Sequence, residues 1–180
     1  MNPLCPRMFI PVAIWLVLIL TPPTLWGQIT GQSLDRRGRT VEVEATLSGF
    51  QEVPPILSDG RGEFRATIRD NSSITFKLRF SGLSSQVMFA HVHFGQQGVN
   101  GGILFFLCGG GSKPQPCLES ETISGTITAQ DVMAVPAQNV QAGDLAGVIR
   151  AIRRGVTYVN VHTTNFPAGE IRGQLRVEDE

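Results

Sequence analysis

Hydrophobic and polar residues alternate along much of the chain between Thr40 and Val177. Strict alternation is typical of β-strands that turn one face to a hydrophobic core and the other to water. The alternating runs predict five such strands, whose hydrophobic positions lie within residues 41–47, 64–68, 74–80, 123–127 and 171–177. The chain is therefore expected to be built mainly from half-buried strands.

Turn residues and longer apolar runs place the remaining elements. Asp70-Asn71-Ser72 is a turn signal and predicts a hairpin of strands 62–69 and 73–81. The turn at Phe166-Pro167-Ala168-Gly169 predicts that the strand before it pairs with the strand after it. Residues 102–107 are continuously apolar, which predicts a strand covered on both faces.

One helix is predicted. Asp144 is a suitable N-cap, and hydrophobic residues follow at helical spacing as far as Ile152. Gly155 is a suitable stop because glycine readily ends a helix. Together, about eight short strands and one crossing helix indicate an all-β protein, an antiparallel β-sandwich or flattened barrel.

Two of the strands contain every histidine of the chain. Residues 90–95 carry His91 and His93 in alternation with Val92, and residues 158–163 carry His162 in alternation with valines. Alternation places His91 and His93 on one face of their strand, and Asn160 and His162 on one face of theirs. If the two strands are close in the fold, three imidazoles converge on one face.

Two interpretations of these histidines stay open at this point. Imidazole is a good ligand for copper and for zinc, so His91, His93 and His162 are candidate ligands of either metal. Alternatively, the histidines form a structural polar cluster that orients a loop, with hydrogen bonds to each other's strands, to Asn160 or to Glu170.

Glu170 and Arg172 share a face of the strand expected beside His162. With Asn160, they are candidates for residues that surround the metal ligands. Glu170 would be a carboxylate that supports a ligand, and Arg172 would bind an anion. The alternative is a cross-strand pair on a solvated face. The second interpretation is favoured, since such a pair contributes well under about 1 kcal/mol and is common.

Charge and motifs narrow the function classes. Fifteen basic residues balance fifteen acidic residues without a Lys/Arg cluster, so nucleic acid is not expected as a partner. The glycines at 98–102 and 109–111 are not followed by the Gly-Lys-Ser/Thr of a phosphate-binding loop. The Gly-x-Ser-x-Gly turn of serine hydrolases is absent as well.

The amino-terminal residues resemble a secretory signal peptide. One basic residue, Arg7, precedes an apolar run at 9–20, and cleavage after Gly27 fits this pattern. The run is shorter than the roughly 20 residues of a membrane span, so no span is expected in the mature chain. The predicted organisation is a signal peptide at 1–27, a flexible segment at 28–39 and one domain at 40–178, in a secreted, periplasmic or cell-envelope protein.

The cysteine pattern agrees with export. Cys5 lies in the predicted signal peptide, which leaves Cys108 and Cys117. An even pair in an exported protein favours a disulfide, here closing a loop rich in glycine and proline. The alternatives are two free thiols or two soft metal ligands.

Five ordered motifs resemble the CHRD domain, which was first described in chordin. They lie at residues 47–55, 60–62, 90–93, 158–163 and 169–175. The resemblance runs from about residue 41 to residue 177. It implies a Greek-key β-sandwich of the immunoglobulin or superoxide dismutase type, and it implies little about activity.

The His-Val-His strand is also similar to the copper strand of Cu,Zn superoxide dismutase. That likeness implies that His91, His93 and His162 are copper ligands and that Arg172 guides anions. Residues 95–121 supply no further histidines for a zinc half, so a dismutase of this kind would be copper-only. We expect a module with a binding or structural role, whose partner is an extracellular protein or a metal ion, rather than an enzyme. The alternatives are a copper-only redox enzyme and an envelope metal-scavenging protein.

Overall fold

The computed structural model of the protein describes residues 40–119 and 121–178. The predicted signal peptide and the predicted flexible segment at 28–39 lie outside these residues. The described part contains nine strands and one α-helix. In chain order they are β1 (Thr40–Ser48), β2 (Arg61–Arg69), β3 (Ser73–Ser81), β4 (Val87–Phe94), β5 (Gly102–Cys108), β6 (Ile123–Ile127), α1 (Leu145–Arg153), β7 (Thr157–Thr163), β8 (Ile171–Gln174) and β9 (Arg176–Val177).

The strands form one antiparallel sheet that folds over a common core. Their order is β5-β4-β7-β8-β1-β2-β3-β6, with β9 paired to β1. A single residue pair, Ser48 with Arg172, joins β1 to β8 and marks the corner between two layers. β6 returns beside β3 after the β4–β5 hairpin, which is a Greek-key connection. The predicted all-β sandwich or flattened barrel is therefore confirmed.

The alternating runs become strands with one buried face. In β2 the side chains of Phe64, Ala66 and Ile68 are buried, while Glu63 and Arg65, on either side of Phe64, are exposed. The predicted hairpin is present, and β2 and β3 pair from Arg61 opposite Ser81 to Arg69 opposite Ser73. The core between the layers is hydrophobic and includes residues of every strand from β1 to β8.

The two layers differ on their outer sides. We call the outward residues of β1, β2 and β3 the charged face; they include Glu44, Arg65 and Lys77, which lie directly across from one another in that order. We call the outward residues of β4, β7 and β8 the histidine face. On this face, Asn160 of β7 lies directly across from His91 of β4 on one side and from Arg172 of β8 on the other.

The helix begins and ends as the sequence predicts. The side chain of Asp144 accepts a hydrogen bond of 2.8 Å from the backbone N–H of Gly147, which caps the first turn. Four apolar residues of α1 are buried against the sheet. Gly155 follows with a φ of 66°, a conformation that favours glycine. In the described ranges, no helix has the length and apolar character that crossing a membrane requires.

A disulfide joins Cys108, at the end of β5, to Cys117, as predicted. The loop that it closes is also held by Asp131, whose carboxylate accepts hydrogen bonds from Ser112 and Lys113. Burial raises the pKa of Asp131, but these bonds and those from Thr128 outweigh it and lower the pKa to about 2. The loop is thus fixed to the core by a covalent and an ionic link.

Candidate metal centre

The pairing of β4 with β7 brings the three histidines together. Phe89 lies opposite His162, His91 opposite Asn160, and His93 opposite Tyr158. Side chains at these positions project from the same side of the sheet because both strands alternate in step. One ring nitrogen from each histidine lies within 4.8 Å of the other two. The predicted convergence of His91, His93 and His162 is therefore present in the structure.

Backbone carbonyl groups orient two of the rings. The Nδ1 of His93 lies 2.8 Å from the carbonyl oxygen of Gly101, and the Nδ1 of His162 lies 3.0 Å from that of Pro167. A carbonyl oxygen only accepts, so each Nδ1 carries the proton. The Nε2 of each ring is then a lone-pair acceptor, and both Nε2 atoms are buried without a hydrogen-bond partner.

His91 provides the third unpaired ring nitrogen. Its Nδ1 is buried and has no hydrogen-bond partner, and the ring makes no hydrogen bond to any described residue. The three histidines do not hydrogen-bond to one another. Each of them therefore keeps one unpaired ring nitrogen in a buried position, at a cost of about 1–3 kcal/mol for each group.

Burial keeps the three imidazoles neutral. It lowers the pKa of His91 to about 2, with further lowering from the neighbouring rings of His162 and His93. It lowers the pKa of His93 to about 4, against the opposing effect of the Gly101 carbonyl, and it also lowers the pKa of His162. Neutral imidazole is the form that binds metal ions, so the rings are ready to coordinate at neutral pH.

Aromatic rings enclose the cluster on one side. The ring of Phe89 lies 5.3 Å from that of His91 and 4.7 Å from that of His162, centroid to centroid. Phe106 presents its ring to His91 edge-on at 5.1 Å. Both phenylalanines are half-buried, so they stand between the histidines and solvent.

Tyr158 and Arg172 enclose the cluster on another side. The Tyr158 ring stacks on His93 with centroids 4.6 Å apart, and the guanidinium carbon of Arg172 lies 3.4 Å from the centre of the Tyr158 ring. Arg172 also donates hydrogen bonds to Asn100 and to the carbonyl groups of Gln96 and Val99. It thereby holds the 95–101 loop over the histidine face.

A second covering segment, residues 49–56, contributes Glu52. Asn160 donates a hydrogen bond of 2.6 Å to Glu52 and a second one of 3.1 Å to the carbonyl of Ile171. Burial raises the pKa of Glu52 to about 7, although the bond from Asn160 and the charge of Arg172 oppose the shift. Asn100 links the two covering segments by donating to the carbonyl of Val53.

Glu170 is fully buried and does not contact the histidines by a hydrogen bond. Its carboxylate accepts from both Ser58 and Thr163, and from the N–H and hydroxyl of Ser84. Burial raises its pKa, but these donors prevail and lower it below its usual value. The favoured interpretation of Glu170 and Arg172 as a solvated pair is wrong, because both are buried and each binds other partners.

The structure therefore divides the predicted site residues. It brings the three histidines together, and it places Asn160 and Arg172 beside them without a hydrogen bond to any imidazole. The groups that hold the rings are carbonyls of Gly101 and Pro167, which a sequence pattern does not reveal. Glu52 also escaped the sequence analysis, although an acidic residue inside the first CHRD-like motif was a usable signal.

The comparison with protein families agrees with the motifs. A family model described as "CHRD domain" matches residues 43–175. No curated protein matches the chain, and no solved structure does so either. The matched region spans nearly all of the described strands, together with the three histidines. The chain therefore belongs to the CHRD domain family.

Proposed function

We propose that this CHRD protein is an exported binding module and that His91, His93 and His162 hold a copper or zinc ion. The observation that carries the proposal is the set of three buried, unpaired ring nitrogens on side chains that meet within 4.8 Å. Buried polar groups in native proteins nearly always have a partner. A metal ion would pair all three nitrogens at once.

The alternative of a structural polar cluster has less support. Such a cluster would hydrogen-bond the histidines to each other's strands, to Asn160 or to Glu170, and would orient a loop. In the described residues, Asn160 binds Glu52 and Glu170 binds serine and threonine side chains. Among residues 40–119 and 121–178, the histidines hydrogen-bond to the loop carbonyls of Gly101 and Pro167. These bonds orient two rings and leave the Nε2 atoms of His93 and His162 without a partner.

Export is supported by two features. The residues at 1–27 have the composition of a signal peptide, and the Cys108–Cys117 disulfide is typical of proteins outside the cytoplasm. A secreted, periplasmic or cell-envelope location follows as part of the proposal. The partner of the exported module is a metal ion, an extracellular protein, or both.

The copper-only redox enzyme receives no specific support from the geometry. The dismutase likeness implies that Arg172 guides anions, which requires an exposed guanidinium. Arg172 is 2% exposed and donates to the 95–101 loop instead. A metal-scavenging role fits the same site and differs only in what becomes of the bound ion.

Metal content of the untagged mature chain tests the proposal. We expect one equivalent of copper or zinc after loading and dialysis, measured by elemental analysis. His162→Gln keeps a side-chain donor for the Pro167 carbonyl but removes the ring nitrogen, and it should abolish retention. The chain has three histidines in all, so no other imidazole competes.

Lys77→Ala on the charged face is the matched control and should retain the full equivalent. Wild-type protein that retains no metal under any loading condition would contradict the proposal. So would His162→Gln protein that folds and still retains one equivalent.

A further inference from the structure

The three unpaired nitrogens are closed to solvent. Each of the Nδ1 of His91, the Nε2 of His93 and the Nε2 of His162 exposes less than 1 Å². The three residues as a whole are 1%, 8% and 5% exposed. An ion bound by these atoms would lie in a pocket that bulk water does not reach.

The protein supplies no fourth ligand of the usual kinds. In the described ranges the cluster consists of the three histidines alone, without a cysteine or carboxylate. The adjacent rings belong to Phe89, Phe106 and Tyr158, and the nearby Glu52 is bound to Asn160. The site therefore offers three nitrogen donors and aromatic walls.

Charge around the site also limits the ion. Arg172 stacks on the tyrosine that covers His93, which places a positive charge beside the site. In the part of the chain that the structure describes, the cluster around the site contains no carboxylate that would balance a bound cation. Because the cost of burying an ion rises with the square of its charge, a divalent ion is penalised about four times as much as a monovalent one.

We infer that the ion held here is monovalent copper in three-coordinate geometry; this rests on the proposed function. Zinc bound by three histidines takes water as its fourth ligand, and divalent copper prefers tetragonal sites. Both ions therefore need a further ligand, which a pocket closed to water does not admit. Monovalent copper has a filled d shell and accepts low coordination numbers. It also carries the smaller charge into a dry, positively flanked pocket.

Phe89 keeps the fourth position closed. Its ring contacts those of His91 and His162 and is itself half-buried, so it covers both imidazoles on the side that it faces. A smaller residue at this position would admit a water ligand. Water as a fourth ligand would favour zinc and divalent copper over monovalent copper.

Competitive metal titration of the untagged mature chain tests the inference. Monovalent copper is offered anaerobically against a chromophoric chelator, and zinc and divalent copper are titrated separately. We expect monovalent copper to bind at least about tenfold more tightly than either divalent ion. X-ray absorption of the copper-loaded protein should show three nitrogen neighbours.

The outcomes separate the inference from the function on which it rests. Zinc or divalent copper that binds as tightly as monovalent copper, or a fourth ligand in the absorption spectrum, would overturn the inference and leave the metal site in place. Failure to bind any of the three ions would overturn both.

Phe89→Ala should weaken the preference for monovalent copper and add an oxygen neighbour to the spectrum. Phe89→Leu serves if the alanine variant does not fold. Leu57→Ala is the control, because Leu57 is 88% exposed and lies outside both covering segments, so both readouts should stay unchanged. An unchanged preference in a folded Phe89 variant would contradict the role given to this ring.

Discussion

The histidine face and the charged face arise from the same alternating pattern but lie in opposite environments. On the charged face, Glu44, Arg65 and Lys77 stand in one row across three strands, and all are exposed. The equivalent row of the histidine face places His91, Asn160 and Arg172 side by side. These three are 1%, 3% and 2% exposed.

The difference lies in what covers each face. Two segments without regular periodicity, residues 49–56 and 95–101, lie over the histidine face and are tied to it by Glu52, Asn160 and Arg172. Within the described ranges, the row of the charged face remains exposed, without such a covering segment. Alternation therefore decides which side chains point away from the core, and the covering loops decide whether those side chains remain in water.

The largest effect is expected from removing a carboxylate on the covered side of the molecule. Glu170→Ala leaves the donors of Ser58, Ser84 and Thr163 without their acceptor in a buried position. Loss of such a network should cost about 3–5 kcal/mol of unfolding free energy, measured by urea denaturation.

Glu63→Ala is the matched change on the charged face. Glu63 is exposed, and its removal should alter the free energy of unfolding by less than about 0.5 kcal/mol. Similar costs for the two substitutions would show that the two environments do not differ as described.

The sequence predicts the strands well because hydrophobic alternation is a local signal. The β2–β3 hairpin, the extent of α1, the cap at Asp144 and the disulfide were all accessible from neighbouring residues. The face shared by His91 and His93 follows from their spacing alone. That His162 joins them depends on β4 pairing with β7, which lies far along the chain. The local pattern does not predict this pairing, and it is the likeness to the copper strand of superoxide dismutase that implies it.

What the sequence does not predict is burial by loops. Glu170 and Arg172 alternate with hydrophobic residues in the same way as the exposed Glu63 and Arg65, so they were interpreted as solvated. Their burial depends on contacts with residues 58, 84 and 96–100, which no local pattern encodes. The same holds for Glu52, whose buried position depends on Asn160 in a distant strand.

A pH-dependent effect should distinguish the covered carboxyl of Glu52. Burial raises its pKa from 4.5 to about 7, so the folded protein keeps a proton that the unfolded chain releases above pH 4.5. The stability that this provides is complete below pH 4.5 and is lost as the pH rises to about 7. Linkage places the loss on the order of 2–3 kcal/mol.

Glu52→Gln removes this titration and keeps an oxygen acceptor for Asn160. The variant should therefore gain stability relative to the wild type as the pH rises from 4.5 to 7, measured by urea denaturation at several pH values. A stability difference that stays constant across this range would contradict the raised pKa. Glu63→Gln, measured alongside as a surface control, should change stability by less than about 0.5 kcal/mol.

The smallest effect is expected on the charged face, where solvent screens every interaction. Arg65 and Lys77 lie directly opposite each other on β2 and β3, and like charges in this arrangement are destabilising. Lys77→Thr removes the repulsion and introduces a residue that favours strands. The variant should be more stable by about 0.2–0.5 kcal/mol in low salt.

Salt tells whether this gain is electrostatic. At about 1 M salt the screening length falls to roughly 3 Å, so the part of the gain that comes from charge should disappear. A change that is equally large in low and high salt would instead assign it to strand propensity. The repulsion between Arg65 and Lys77 is small because both side chains are in water. On the histidine face of the same sheet, Arg172 is held out of water because the loop carbonyls of Gln96 and Val99 accept its hydrogen bonds.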